Sequence, residues 1–186
     1  MKFSKLSGVF ALTSSIALVA CGGGSVDADA DGDGEVTQEE MSAAADQVSG
    51  QVKPLPGQYR ASVSFVSADI LGAPPEMVQM MSGAMNQSSE FCMTEEMAED
   101  GFGEAMKEGQ QDDSCTITRM TLDGSDMNMA MSCSDPDAGE MDIQMTGTVS
   151  PTSSDVTMVT EGTFGPLGPG KMEMNVKQER IGDCEG

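Results

Sequence analysis

Residues 29–40 read Asp-Ala-Asp-Gly-Asp-Gly-Glu-Val-Thr-Gln-Glu-Glu, a spacing that gathers hard oxygens around a large cation. Asp29, Asp31 and Asp33 supply carboxylates from alternate positions, and Gly34 allows the sharp turn that lets the Glu35 carbonyl reach the same point. Val36 packs the loop, Thr37 holds a ligand or a water, and Glu40 closes the site with both carboxylate oxygens. The cation this chemistry selects is calcium, bound with the weak affinity of extracellular modules, roughly 10⁻⁴ to 10⁻³ M. Two plainer uses of the same residues stay open. Thr37-x-x-Glu40 is also a capping box for a helix over Met41 to Val48, and residues 26–33 also fit a solvated acidic linker.

The loop follows the EF-hand pattern, without an entering helix and without a second loop to pair with. It resembles the lone calcium loops of secreted bacterial proteins.

Sulfur carries the remaining candidate chemistry. Cys21 follows Leu18-Val19-Ala20 at the end of an apolar stretch that opens with Lys2 and Lys5. This is the layout of a signal peptide over residues 1–20, too short and too polar to span a bilayer. Its end resembles the bacterial lipobox. The resemblance implies a diacylglyceryl thioether on Cys21, cleavage before it and acylation of the new amino terminus, several chains together giving stable anchoring. Gly22, where Asp would signal retention, implies the periplasmic face of the outer membrane as the destination within the cell envelope. Gly22-Gly23-Gly24-Ser25 then reads as a flexible start to an acidic tether over residues 21–50.

Methionine offers softer ligands. Met127-x-Met129-x-Met131 and the set Met77, Met80, Met81 and Met85 resemble thioether sites that hold Cu(I) in exported copper proteins. The same spacings also satisfy core packing on a strand and on a helix. With 18 Met, six Phe, one Tyr and no Trp, methionine must supply much of the buried apolar surface in any case.

Other chemistries are excluded by what the chain lacks. It contains no His, which removes the usual general base, the nucleophilic triads and most catalytic metal sites. An enzyme is not expected. The formal net charge is −22, which repels nucleic acid and leaves as partners the membrane reached through Cys21, an envelope protein, or a small apolar ligand.

Residues 51–186 carry the elements of a folded domain. Alternating apolar residues over Tyr59–Val66, Cys115–Leu122, Met127–Cys133, Met141–Val149, Val156–Phe164 and Lys171–Ile181 predict about six strands of a curved antiparallel meander with one buried face. Asp123-Gly124-Ser125-Asp126 marks a hairpin turn. Two helices are expected after the first strand, one starting at Pro74-Pro75 and one from Thr94 to about Glu108, giving an α+β fold. Cys92, Cys115, Cys133 and Cys184 form an even set in an oxidising compartment and predict two disulfides. Of the three connectivities, Cys92–Cys115 with Cys133–Cys184 is preferred, because it staples the helical insert to the sheet. The rival is Cys115–Cys133 across the hairpin.

Pro56-Gly57-Gln58-Tyr59, Cys92-Met93-Thr94, the two central cysteines and Arg180-Ile181-Gly182-Asp183-Cys184 together resemble the domain of unknown function 3617 family. The resemblance covers roughly residues 50 to 184. It implies a short, exported, often lipid-anchored proteobacterial protein whose biochemical role is unassigned.

Overall fold

The period-two pattern of the second half folds as expected, into an antiparallel sheet with one apolar and one polar face. The computed structural model describes residues 25–34, 36–99, 114–135 and 139–184. Among them the strands are β1 (Val26–Asp27), β2 (Gly57–Ile70), β3 (Gln87–Met93), β4 (Cys115–Asp123), β5 (Asp126–Asp135), β6 (Gly139–Ser150), β7 (Ser153–Thr163) and β8 (Pro169–Gly182). They form one open sheet in the order β1-β4-β5-β6-β7-β8-β2-β3, so the first long strand joins the last one and carries β3 beyond it.

The fold class is α+β with a curved meander, and the six expected strands are all present. Two more were not expected. β1 is only two residues long and pairs Val26 with Leu122. β3 opens Gln-Ser-Ser-Glu, so it has no apolar alternation to read, and as an edge strand it exposes those four residues.

α1 (Gln38–Gln51) starts at Thr37, whose side chain accepts from the Glu40 backbone while the Glu40 carboxylate accepts from the Thr37 backbone. This reciprocal box satisfies two orphan donors of the first turn. Met41, Ala44, Ala45 and Val48 recur at helical spacing on one face and are buried. They form a core cluster with Val26, Ala28, Met120, Leu122 and Met127. Six of these nine residues therefore come from the stretch expected as an acidic tether. Small alanines give that face little apolar contrast, and the adjoining acidic run dominates the composition.

α2 (Pro75–Met85) uses a proline in its first turn and packs against β2. A further helical turn over residues 95–99 is capped by Thr94, whose hydroxyl accepts from the Met97 N–H at 3.2 Å. The rest of the helix expected up to Glu108 lies outside the described residues. β3 separates the two helical segments, so they do not form one insert.

The outward face is polar. Cross-strand ion pairs join Arg60 to Glu90, Lys171 to Glu161 and Lys177 to Asp155, at 2.9, 2.6 and 3.0 Å. Exposed pairs of this kind contribute little stability each; they keep this face wet and charged.

The disulfides are Cys92–Cys184 and Cys115–Cys133. This corrects the preferred pairing of Cys92 with Cys115 and Cys133 with Cys184. β3 and β4 lie near opposite edges of the sheet, six strand spacings apart, or roughly 29 Å along the sheet at about 4.8 Å each. A disulfide needs its Cα atoms within about 7 Å. Cys115 and Cys133 instead stand directly opposite in the β4–β5 register.

Candidate functional site

The acidic loop wraps the start of α1. Asp29, Asp31 and Glu40 each offer a carboxylate oxygen, and the three lie within 4.8 Å of one another. The Gly34 N–H donates to Asp29 Oδ2 at 3.1 Å, and the Asp33 N–H donates to Asp31 Oδ1 at 3.1 Å, so the backbone folds the loop around its own acids. Asp29 Oδ1 is buried and has no hydrogen-bond partner. A buried carboxylate oxygen normally finds a donor or a cation, so this atom fits the Ca²⁺ expectation. Glu40 Oε2 accepts from the Thr37 N–H at 2.9 Å and from the Thr37 hydroxyl at 2.7 Å. Those two bonds hold the Glu40 carboxyl below its ordinary value of 4.5.

Of the six expected ligands, then, three converge. Asp33 stands outside the carboxylate triad, and the Thr37 hydroxyl is engaged in the capping box. Glu35 lies outside the described residues, as does Cys21.

The second feature is a cavity of about 450 Å³ on the concave face of the sheet. Val48 and Val52 at the end of α1 and Met97 after β3 form its rim, and the inward residues of β4 to β8 form its floor. A row of methionines runs across this face, four of them, Met120, Met129, Met145 and Met158, in the cavity lining. Met120 pairs with Met129, Met129 with Met145, Met145 with Met158 and Met158 with Met174, so five neighbouring strands each place one thioether on the same face. Sequence reading found the alternation within strands but not this row, because register between strands decides it.

The methionine sets expected to hold Cu(I) fare differently. Met127 and Met129 line the cavity, while Met131 sits one inward step further along β5, opposite Ile143. On α2, Met77, Met81 and Met85 are half-buried and Met80 is 69% exposed. The helical set is a packing face with an exposed flank.

Among the described residues one ionisable side chain lines the cavity, Tyr59, which is 2% exposed. Its hydroxyl lies 2.8 Å from the Leu55 carbonyl and 3.0 Å from the Pro151 carbonyl, sharing one proton between them. Burial pushes the phenol above its ordinary value of 10.0. This keeps it a neutral donor that ties the approach to β2 onto the β6–β7 turn.

Three short motifs far apart in sequence converge beside the cavity. Gln58 pairs with Cys92 on one side and with Gly182 on the other. Cys92 is bonded to Cys184, and the Arg180 guanidinium donates to the Pro56 carbonyl at 2.9 Å while pairing with Asp183. Gly57 has φ +149°, and a Cβ there would overlap the Arg180 guanidinium. The corner is structural, a knot that fixes where β2, β3 and β8 meet.

These features define a class: a disulfide-stapled antiparallel meander whose concave face is apolar and partly roofed by one helix. Residues 54–184 match the model of a family described as Protein of unknown function (DUF3617), and the chain belongs to that family. No curated protein and no solved structure matches the chain.

Proposed function

We propose that this protein is an exported, lipid-anchored envelope module that holds a small apolar ligand on its concave face and is braced by calcium next to its anchor. It is non-catalytic. The observation that carries the reading is the cavity, whose lining is apolar or thioether over most of its extent and whose only titratable group among the described residues, Tyr59, is already engaged. Its size falls within the range of small-molecule sites, about 300–1,000 Å³, and pliable methionines let one surface fit varied apolar shapes.

The reading is tested by titrating the protein with an environment-sensitive apolar dye, N-phenyl-1-naphthylamine. Saturable binding is expected. Replacing Met129 and Met145 together by Leu conserves volume and apolarity and removes two adjacent sulfurs of the row, so dye affinity should change less than about threefold. A second reading, Cu(I) held by thioethers, is favoured by the cross-strand row of methionines. If it holds instead, the same double variant loses Cu(I) stoichiometry while the dye shows no saturation in either protein.

Calcium belongs to the proposal as a brace, not as a reagent. Asp29, Asp31 and Glu40 would hold the ion. They would thereby fix the start of α1, whose far end rims the cavity. At ten times Kd a ligand bound to the folded state alone adds about 1.4 kcal/mol, or roughly 3–5 °C for a chain of this size. Glu40→Gln separates the two roles of this residue. Gln also serves a capping box but cannot supply the charged bidentate group, so the variant should lose the calcium shift, while its metal-free melting temperature falls only by the charge-assisted part of the cap. If millimolar Ca²⁺ leaves both melting and protease resistance of residues 25–50 unchanged in the natural protein, the brace is wrong. The capping contribution of Glu40 itself has a defined pH window. Because its folded pKa is lowered, that contribution is complete above the ordinary value of 4.5 and fades as pH falls through the folded value.

A further inference from the structure

The inward positions of β7 run Ser154, Val156, Met158, and those of β8 run Gln178, Val176, Met174, in register with one another. The concave face thus grades from hydroxyl and amide, through branched aliphatic, to thioether. At about 3.4 Å per residue the gradient spans roughly 14 Å. Five of these six residues line the cavity.

At the polar end, Ser150 and Ser153 are occupied by the β6–β7 turn: the Ser150 hydroxyl accepts from the Ser153 and Thr152 N–H groups and lies 2.9 Å from the Ser153 hydroxyl. Ser154 and Gln178 are different. They face each other across β7 and β8, both half-buried, and neither side chain has a hydrogen-bond partner among the described residues. Together they present one hydroxyl and one amide toward the cavity, able to donate and to accept.

Charge narrows the ligand. Among the described residues no acidic or basic side chain lines the cavity, so a carboxylate carried into it loses hydration without gaining a partner there. The chain's net charge of −22 adds long-range repulsion to any anion. An ammonium head is drawn by that field but finds no carboxylate inside to pair with.

Building on the apolar-ligand reading above, we propose that the ligand is a single-chain amphiphile with an uncharged, hydroxylated head. The head sits between Ser154 and Gln178, and the alkyl chain runs along the valines toward the methionine row.

The test is displacement of bound N-phenyl-1-naphthylamine from the full-length protein at neutral pH by three probes of equal chain length: a monoacylglycerol, a fatty acid and an alkyltrimethylammonium. The monoacylglycerol is expected to displace the dye at about tenfold lower concentration than either charged probe, the worth of one or two hydrogen bonds. Replacing Ser154 by Ala and Gln178 by Leu together should bring the three probes within about threefold of one another, each displacement being referred to that variant's own dye affinity. Equal displacement by all three in the natural protein overturns the head-group assignment, as does a preference that survives the double variant; in both cases the cavity reading stands. Absence of saturable dye binding overturns both.

Discussion

Removing the Cys92–Cys184 bond by serine at both positions is expected to cost about 4–5 kcal/mol, more than removing Cys115–Cys133, which should cost about 3 kcal/mol. The two bridges span 92 and 18 residues of sequence. In the chain-entropy account, a bridge stabilises by restricting the unfolded chain, by about 4.7 kcal/mol for a loop of 100 residues and about 3 for one of 15. Native geometry argues the same order. The β4–β5 hairpin is already closed by its turn at Asp123–Asp126, whose ends pair directly. Nothing so local joins β3 to the end of β8: both strands pair with β2 at its Gln58 end, and the bridge locks that three-strand corner. Thermal unfolding of the two double-serine variants under identical oxidising conditions measures the difference. Since 1 kcal/mol shifts a chain of this size by about 2–4 °C, the Cys92/Cys184 variant should melt several degrees below the other. An equal or reversed order would show that the hairpin staple, not the corner, limits unfolding.

The second large effect is expected at Gly147. This residue stands opposite Val156 in the β6–β7 pairing, two residues from both Met145 and Val149 on β6. A Cβ built there would lie 2.7 Å from the Val156 Cα and overlap the Asp155 carbonyl oxygen. Both obstacles are backbone, so no rotamer change relieves them. Gly147→Ala should therefore cost about 3 kcal/mol, the upper part of the usual range for overpacking, because β6 and β7 must move apart where their backbones approach closely. The same substitution at Gly50 is its control. Gly50 lies within α1, and a Cβ there meets nothing within 4 Å. Alanine stabilises a helix interior relative to glycine by roughly 0.8–1 kcal/mol, and in the last turn, where Gly50 sits, by roughly half of that. One chemical change, made at two positions, should thus move stability in opposite directions. Denaturant midpoints of both variants decide it, and a Gly147→Ala protein as stable as the natural one would mean that the close approach of β6 and β7 is not needed.

Much of the fold could be read from residue order because its signals are local. Alternation at Met127, Met129 and Met131, and again at Met141, Ile143 and Met145, announces strands whatever their neighbours are. The Asp123–Asp126 turn announces a hairpin, and Thr37-x-x-Glu40 announces the start of α1, which the structure bears out as a complete capping box. The missed elements lacked such signals. β3 hides its pairing behind four exposed polar residues, and its partners are supplied by β2. The buried face of α1 relies on two alanines and becomes a core only against Leu122 and Met127, which lie more than seventy residues further on.

The candidate sites divide along the same line. Within the acidic loop, the convergence of Asp29, Asp31 and Glu40 was legible because a twelve-residue loop meets its own residues, and the structure brings those three carboxylates together. The cavity was not legible. The methionine row that supplies four of its lining residues draws one residue from each of five strands, and a slip of one residue in any pairing would have sent a thioether to the wet face. The disulfide pairing belongs with it: an even cysteine count implied two bridges, but only the strand order, with Cys92 and Cys115 near opposite edges, ruled out joining them. By itself the amino-acid order determined the class of fold, the strands of the meander, the acidic loop and the oxidised state of four thiols, since each depends on neighbours within a dozen residues or on composition alone. Which sulfurs meet, where the sheet bends and what its hollow face presents were decided by register and curvature, because those bring together residues that the chain keeps far apart.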